Sequence, residues 1–450
     1  ICSIEWVPNI YEHLLRWKFN NLILDESDNI KSKASTRAKA IKAIAKRIKR
    51  KILMSGTPTR NNILEIYNQV ELLCRNSVNM VCWAKTWYEY DRSSREYDEC
   101  RNPNFMKPFP AWGWHKAFER TFSPRKVTCF WANETNQDIL NSEEFKQFIE
   151  PIRFTRIYDI EKPRINEVLG IEDTWAYKEW KQVIVPMSEH EGKVYEWILD
   201  EFARIVEEHY RALHDGSTAS KLVIMRQILE LLQGTSHPWT YLGYEGEKIW
   251  TKLHKAIEII EQSKLEGKKV MIASPWVETA NAMDEVFNSR GYPVFRITTE
   301  MSKAKRATLV HEFRNFPGFA IITGTMGCLK SWLNLPEVSV VIAESYPWNF
   351  SQLYQYCARA IRLNSENKTD IYCLCSEWSF DVNVFGLLVK KEVTNKFVRT
   401  SEEVTTEEVR AELWVGEDDD FYQAALNMVR ERVDWRMRWT IKWNDKQIIS

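Results

Sequence analysis

The fold is decided by two short stretches of sequence, NLILDESD at residues 21–28 and KILMSGTP at residues 51–58. Each begins with an apolar run and then turns polar, as a buried strand does where it ends at the edge of a sheet. Residues 38–48 between them have the pattern of one helix. Parallel strands joined by one helix place both strand tips side by side. We therefore expect the polar residues after the two strands to share one site.

Asp25 and Glu26 directly follow the first strand. Two carboxylates at a strand tip can hold Mg²⁺ through the first side chain and orient or deprotonate a water molecule through the second. Such pairs also occur as solvated strand ends, so the pair alone leaves both interpretations open. Ser55, Gly56 and Thr57 follow the second strand. Their expected position beside the acidic pair favours a reaction site, with Asp25 and Glu26 at the metal.

Further apolar runs predict a second block of the same kind. They lie at residues 270–273, 320–323, 338–343 and 371–374 and alternate with helical patterns. Alternation of this kind is typical of α/β folds with parallel sheets. We therefore predict two parallel-sheet lobes.

The stretches outside these blocks have a different pattern. Residues 75–245 contain aromatic-rich helical segments, and the end of the chain combines an acidic stretch with tryptophans at helical spacing. We predict four parts: the C-terminal part of a first lobe at 1–74, a helical insertion with linker at 75–245 that includes the end of this lobe, a second lobe at 246–390, and an acidic, helical tail at 391–450. The tail is a possible contact for a protein partner.

A third candidate element lies at residues 352–362. If this segment is helical, Gln355, Arg359 and Arg362 are spaced so that their side chains share one face. Two guanidinium groups on one face can donate paired hydrogen bonds to phosphate oxygens. A surface helix with two arginines is also common. This element therefore indicates a phosphate site only in combination with the acidic pair and the Ser55–Thr57 segment.

Composition limits the classes of function. The chain has 450 residues with 62 basic and 62 acidic side chains, so no overall basic excess indicates nucleic acid. A local basic stretch exists, because ten Lys or Arg and no acid lie between Lys31 and Lys51. It is either a solvated helix surface or a phosphate-binding patch. Nine cysteines without a CxxC pair argue against a disulfide framework and a zinc site.

The ordered set of elements over residues 1–395 resembles the Swi/Snf-like branch of the DEAD/DEAH helicase superfamily. DESD at 25–28 is similar to the acidic box of that family, SGTPTRNN at 55–62 to its Thr-Gly-Thr-Pro box, and the segment with Gln355, Arg359 and Arg362 to its final arginine box. The resemblance implies two RecA-like lobes that close on ATP and Mg²⁺ and step along double-stranded DNA.

The resemblance also implies a role for each matched residue. Asp25 would help to hold Mg²⁺ and Glu26 would position the attacking water. The remaining matched residues would act as follows: Ser55, Gly56, Thr57 and Thr325 in coupling to nucleic acid, Gln355 in binding the nucleotide, and Arg359 and Arg362 in reaching its phosphates.

One element of such a motor does not occur in the sequence. A phosphate-binding loop needs Gly-x-x-x-x-Gly-Lys followed by Ser or Thr, and no such pattern is present. Either the loop was cut off upstream, which would make this chain inactive alone, or the protein has lost it. The alternatives are a nucleic-acid-binding scaffold with degenerate lobes and a two-lobed transferase. We expect a cytoplasmic protein of a prokaryote or virus more than a nuclear one, neither secreted nor membrane-bound.

Overall fold

The structure is a computed structural model. It describes residues 1–32, 35–59, 63–74, 82–91, 97–107, 114–127, 133–135, 139–156, 164, 167–168, 178–214, 221–330, 333–347, 350–361, 368–400, 425 and 428–429. Two compact units make up the chain, residues 1–162 with 389–409 and residues 163–388 with 410–450. Arg362 and most of the predicted tail lie outside the described residues.

The first unit contains the predicted strand–helix–strand segment, preceded by another helix. Its elements are α1 (Val7–Arg16), β1 (Asn21–Leu24), α2 (Thr36–Ala45) and β2 (Arg50–Leu53). The strands pair in parallel, with Leu24 opposite Leu53. α2 begins at Ser35, whose Oγ accepts a hydrogen bond from Ala38 N at 3.1 Å and so satisfies an amide of the first turn. The predicted neighbouring strand tips are confirmed.

One face of this two-stranded sheet is covered and the other is open. Leu24 belongs to a buried cluster with Ile41 and Ile44 of α2. Ile23 and Ile52 point to the opposite face, because successive strand residues alternate between faces. They are 62% and 54% exposed. Parallel strands are normally covered on both faces, so the described part of this unit leaves an apolar face open.

The remainder of the first unit is built around aromatic rings. Its elements are α3 (Ile66–Cys74), β3 (Thr86–Tyr90), β4 (Tyr97–Arg101), α4 (Trp114–Phe122), β5 (Arg125–Val127), β6 (Asn133–Thr135) and α5 (Ser142–Ile149). The rings of Phe118 and Phe122 have centroids 4.9 Å apart, and Phe122 lies 5.3 Å from Phe145. β3 pairs with β4 and β5 with β6, both antiparallel. The prediction of a helical insertion with linker at residues 75–245 did not include these hairpins, because they are too short to give a clear alternation.

The second unit is built on a six-stranded parallel sheet. Its strands are β7 (Lys178–Val185), β8 (Lys269–Ser274), β9 (Val294–Ile297), β10 (Ile321–Thr325), β11 (Val338–Ala343) and β12 (Thr369–Ser376). Their order is β7-β12-β11-β8-β10-β9, and all neighbours are parallel. Every residue of β8 and β11 is buried, as expected for central strands of such a sheet. The predicted α/β class is confirmed, whereas β7 was assigned to the helical insertion.

Helices connect the strands of the second unit. They are α6 (Glu189–His214), α7 (Lys221–Gly234), α8 (Thr251–Leu265), α9 (Val277–Ser289), α10 (Lys303–Asn315), α11 (Met326–Leu329), α12 (Phe350–Cys357) and α13 (Phe380–Thr400). The last turns of α13 belong to the first unit, where Phe397 joins the phenylalanine cluster. Over the residues described, no helix combines the length and the apolar character that a bilayer span requires.

Candidate active site

Asp25 and Glu26 lie at the carboxyl end of β1 with exposed side chains. The backbone N–H of Glu26 donates to Asp25 Oδ1 at 3.0 Å, which orients the Asp25 carboxylate at the strand tip. The chain continues as a short 3-10 helix over Ser27–Ile30. The acidic pair is thus presented at the sheet edge where ligands of α/β proteins bind.

Glu26 adopts an unusual backbone conformation. Its φ of +48° lies in the left-handed region, which costs a residue with a Cβ roughly 1 kcal/mol. Hydrogen bonds hold this turn on its carboxyl side: Ser27 N donates to Met54 O at 2.9 Å, and Asn29 donates to the Glu26 carbonyl from both its backbone and its side chain, each at 3.0 Å. Backbone strain of this kind often occurs at functional sites.

The acidic pair fits a Mg²⁺ ion that is bound jointly with phosphates. Mg²⁺ usually takes one or two carboxylates and completes its shell with water and phosphate oxygens. Asp25 and Glu26 provide carboxylates in that number at one strand tip. No group of three or more His, Cys, Asp or Glu that could hold a metal ion occurs among the residues described.

The loop after β2, residues 54–59, is hydrogen-bonded to the loop after β1 that carries Asp25 and Glu26, residues 25–31, here called the acidic loop. Ser27 N donates to Met54 O at 2.9 Å, where β2 ends. Within the second loop, Thr57 N donates to Ser55 Oγ at 3.1 Å, and Thr57 is buried. A Cβ on Gly56 would meet no atom within 4 Å, so the loop surface is open there. The structure therefore brings together the two loops that the sequence predicted to be neighbours.

A buried amide that the sequence did not single out contacts both loops. Gln69 of α3 accepts a hydrogen bond from Ser27 Oγ at 2.8 Å and donates one to the Pro58 carbonyl at 2.6 Å. Asn68 beside it donates to Lys31 O at 2.6 Å. In the sequence, these two adjacent amides lie in an otherwise mostly apolar helical segment. Because a buried amide requires hydrogen-bond partners, this pattern was the feature that could have identified them.

The basic stretch from Lys31 to Lys51 contains both paired and exposed side chains. Lys31 Nζ lies 2.9 Å from Glu65 Oε1, and Lys42 forms an ion pair with Glu71. The exposed basic residues are Lys39, Lys46, Arg47, Lys49 and Arg50. Part of the stretch is therefore structural, and the exposed part retains the phosphate-binding interpretation as a prediction.

Gln355 and Arg359 lie in the second unit, but not on one continuous helix. α12 ends at Cys357, so Arg359 lies in the turn that follows. Its Nε donates to the Gln355 carbonyl at 3.0 Å and its Nη1 to Leu333 O at 3.4 Å. The helix expected to carry both residues together with Arg362 therefore stops early. Helix ends leave carbonyls without intrahelical partners, and the Arg359 guanidinium satisfies the Gln355 carbonyl at this end.

Thr325 is the last residue of β10 and follows Gly324, where the backbone of β9 comes so close that only glycine fits. A Cβ on Gly324 would lie 2.4 Å from the carbonyl oxygen of Ile297 in β9, so no larger residue fits there. Thr325 is half-buried, and its Oγ1 donates to Cys328 Sγ at 3.2 Å. This packing fixes the start of the loop after β10, while the contact of Thr325 with nucleic acid stays a prediction.

The second unit also contains a buried charged cluster that the sequence did not indicate. Lys252 Nζ lies 3.0 Å from Asp381 Oδ2 and 3.4 Å from Glu344 Oε1, and all three side chains are fully buried. Burial raises the pKa of Glu344. Burial alone would lower the pKa of Lys252, but the surrounding carboxylates outweigh it and raise that pKa. Because buried charges depend on their partners, we assign this cluster to the packing of α8, β11 and α13.

Two family models match the chain in sequence order. A model described as SNF2-related domain matches residues 1–238, and one described as helicase conserved C-terminal domain matches residues 251–364. The first range contains both loops of the first unit. The second contains Thr325, Gln355 and Arg359.

Curated relatives are similar over most of this chain. The DNA repair and recombination protein RAD54 of Oryza sativa subsp. japonica is 21% identical, over 84% of this chain and 37% of the relative. The ISWI chromatin-remodeling complex ATPase ISW1 of Saccharomyces cerevisiae is also 21% identical, over 87% of this chain and 31% of the relative. The chain thus spans about a third of the length of these relatives. A solved structure, the Sulfolobus solfataricus SWI2/SNF2 ATPase core in complex with dsDNA, is 21% identical over 90% of this chain and 76% of that chain, with a TM-score of 0.40.

Proposed function

The chain belongs to the family of SNF2-related domains, whose model covers residues 1–238, and on this basis we propose that it is part of an ATP-driven motor that moves along duplex DNA. The observation that carries the proposal is the joining of two loops by the hydrogen bond from Ser27 N to Met54 O. It links an exposed acidic pair to a Ser-Gly-Thr-Pro loop. Such a link lets ATP hydrolysis at one loop respond to movement of the other.

The two carboxylates have different roles in the proposed hydrolysis. Asp25 holds Mg²⁺, which when bound neutralises charge on the phosphates. Glu26 orients the attacking water and accepts its proton. The left-handed backbone of Glu26 fixes the direction in which its side chain leaves the main chain. The Glu26 amide orients the Asp25 carboxylate. Ser55, Gly56 and Thr57 transmit contact with DNA to this pair.

The second unit contributes the residues of the arginine box. Gln355 binds the nucleotide, and Arg359 and Arg362 donate to its phosphates, since a guanidinium group is suited to pairing with phosphate oxygens. Arg359 caps the end of α12 in this structure. Its role therefore requires that it exchange the Gln355 carbonyl for a phosphate oxygen. Thr325 contacts the nucleic acid.

Duplex DNA is the proposed track. The rice relative is named as a DNA repair and recombination protein, which supports DNA as the polymer. The exposed basic residues around α2 offer sequence-independent contacts to phosphates, and such binding weakens as salt concentration rises. A binding scaffold without hydrolysis would show the same salt dependence, so only ATP turnover separates the two functions.

We propose that the phosphate-binding loop belongs to a further strand–helix segment, whose helix covers the open face of the β1–β2 sheet. Ile23, Ile52 and Met54 are exposed on this face by 62%, 54% and 44%. Parallel sheets in α/β proteins are covered on both sides. The relatives are long enough to supply such a segment, since the chain aligns with only 37% and 31% of them.

The test is ATP hydrolysis by the complete protein, with and without duplex DNA. We expect DNA to stimulate hydrolysis, and Glu26→Gln and Arg362→Ala to lower the stimulated rate by at least about a hundredfold. Glu300→Gln, a change of the same chemistry at an exposed position of the second unit, is the matched control and should retain the rate. Wild-type rates in both site variants would refute the assignment of these residues.

A further inference from the structure

Gln69 is a polar side chain in an apolar setting. It is 5% exposed and lies on α3 next to Val70, which belongs to the core cluster of the first unit. Ser27, its partner, is 1% exposed. Burying an amide without hydrogen bonds is unfavourable, because its polar groups lose their contacts with water. We therefore expect both the oxygen and the NH₂ group of the Gln69 amide to form hydrogen bonds, and they do so with two different loops.

The direction of the Gln69 amide follows from the chemistry of its partners. Pro58 presents a carbonyl oxygen, which can only accept, so the NH₂ group of Gln69 must face it at 2.6 Å. The Gln69 oxygen then faces Ser27 Oγ, whose hydroxyl donates at 2.8 Å. The opposite orientation would place two oxygens against each other at Pro58. The amide thus has one orientation and one partner in each loop.

α3 also holds the end of the acidic loop. Asn68 Nδ2 donates to Lys31 O at 2.6 Å, and Lys31 Nζ lies 2.9 Å from Glu65 Oε1 just before the helix. The acidic loop is therefore attached to the same helix at Ser27 and at Lys31. A rigid helix that contacts both loops can move only if both loops move with it.

We infer that Gln69 is a positioning residue that couples the acidic loop to the Ser-Gly-Thr-Pro loop. The backbone hydrogen bond from Ser27 to Met54 joins the loops where the strands end, and Gln69 joins them again at Pro58, further along the second loop. With both connections, a displacement of the second loop by DNA shifts the acidic loop as well. The inference rests on the proposed function and assigns one residue to its coupling step.

Hydrogen–deuterium exchange of the 450-residue chain tests the connection without ATP or DNA. Gln69→Leu removes both hydrogen bonds at similar size, and we expect exchange about tenfold faster in residues 24–31 and 54–59 together. Val70→Ala is the control, because it removes a buried apolar contact from the same helix and leaves these hydrogen bonds in place. Faster exchange in only one segment, or in neither, would overturn the inference.

ATP hydrolysis by the complete protein tests the coupling itself. We expect Gln69→Leu to lower the ratio of DNA-stimulated to unstimulated hydrolysis by about tenfold, and Ser27→Ala to lower it in the same direction. The double variant should be no worse than Gln69→Leu, because both changes break one connection. An unchanged ratio in Gln69→Leu would overturn the coupling role. If the wild-type protein shows no stimulation by DNA, the proposed function fails, and the exchange data still decide whether Gln69 connects the loops.

Discussion

At Glu26, the proposed chemistry and the preferred backbone conformation oppose each other. The reaction needs a carboxylate at this position, whereas a φ of +48° is one that glycine adopts without steric cost. The hydrogen bonds from Ser27 and Asn29 hold the turn in place. The chain therefore keeps a strained residue where a more stable one exists, as is expected where function limits the choice of residue.

Glycine and alanine at this position separate strain from loss of the carboxylate. Both variants lack the carboxylate, but only Glu26→Ala keeps the Cβ that disfavours a left-handed backbone. We expect Glu26→Gly to have a free energy of unfolding higher than Glu26→Ala by about 1 kcal/mol, measured by urea denaturation. At Lys39, exposed within α2, the same pair of substitutions should show the reverse order by about 1 kcal/mol. The same order at both positions would contradict the left-handed turn.

Sequence patterns predicted the elements whose apolar runs end in polar residues. β1, β2, β8 and β11 were expected, because a buried parallel strand is a short, nearly continuous apolar run. β7 was missed because Lys178, Glu179 and Lys181 interrupt its pattern. It lies at the edge of the sheet, where charged side chains are tolerated and prevent pairing with other molecules.

The candidate site could be predicted to the extent that strand topology determines it. Asp25 and the Ser55–Thr57 loop are neighbours because parallel strands bring their tips together. Gln69 could not be predicted, since its partner Ser27 is 42 residues away and only the fold brings them into contact. At the early end of α12, Arg359 donates to the Gln355 carbonyl, a contact that the periodicity of the sequence does not reveal.

A neutral histidine packs the segment after α7 against α9. His237 Nδ1 lies 3.0 Å from Thr279 Oγ1. Burial lowers the pKa of His237 to about 4, against an opposing effect of Glu278 and with a further lowering by Lys252. In the unfolded chain this pKa returns to about 6.5. Between these values the unfolded state binds more protons, so the folded state loses stability as the pH falls through this window.

The predicted consequence is a pH-dependent free energy of unfolding. From pH 7 to pH 5 we expect His237 to account for a loss of about 2 kcal/mol, measured by urea denaturation at each pH. His237→Gln keeps a polar side chain but cannot titrate, so it should lack this share of the pH dependence. His311→Gln, at an exposed position on α10, should retain it. The same pH dependence in all three proteins would rule out His237 as its source.

For the whole molecule, the proposed covering of the open face of the β1–β2 sheet would distinguish the complete protein from the 450-residue chain. Side chains on this face contribute little to the stability of the chain as it stands, because Ile23 and Ile52 are 62% and 54% exposed. If a further helix covers them, as proposed, full burial of each would contribute about 1.5–3 kcal/mol. The same substitution should therefore have different effects in the two proteins.

Ile52→Thr keeps the β-branched shape and removes apolar surface. We expect it to change the free energy of unfolding of the 450-residue chain by less than about 0.5 kcal/mol, and to destabilise the complete protein by about 1–2 kcal/mol. Leu24→Ala on the covered face is the control, and it should destabilise both proteins by about 2–5 kcal/mol because its cavity forms in either case. An equal effect of Ile52→Thr in the two proteins would mean that no further helix covers this face, and it would refute the proposed position of the phosphate-binding segment.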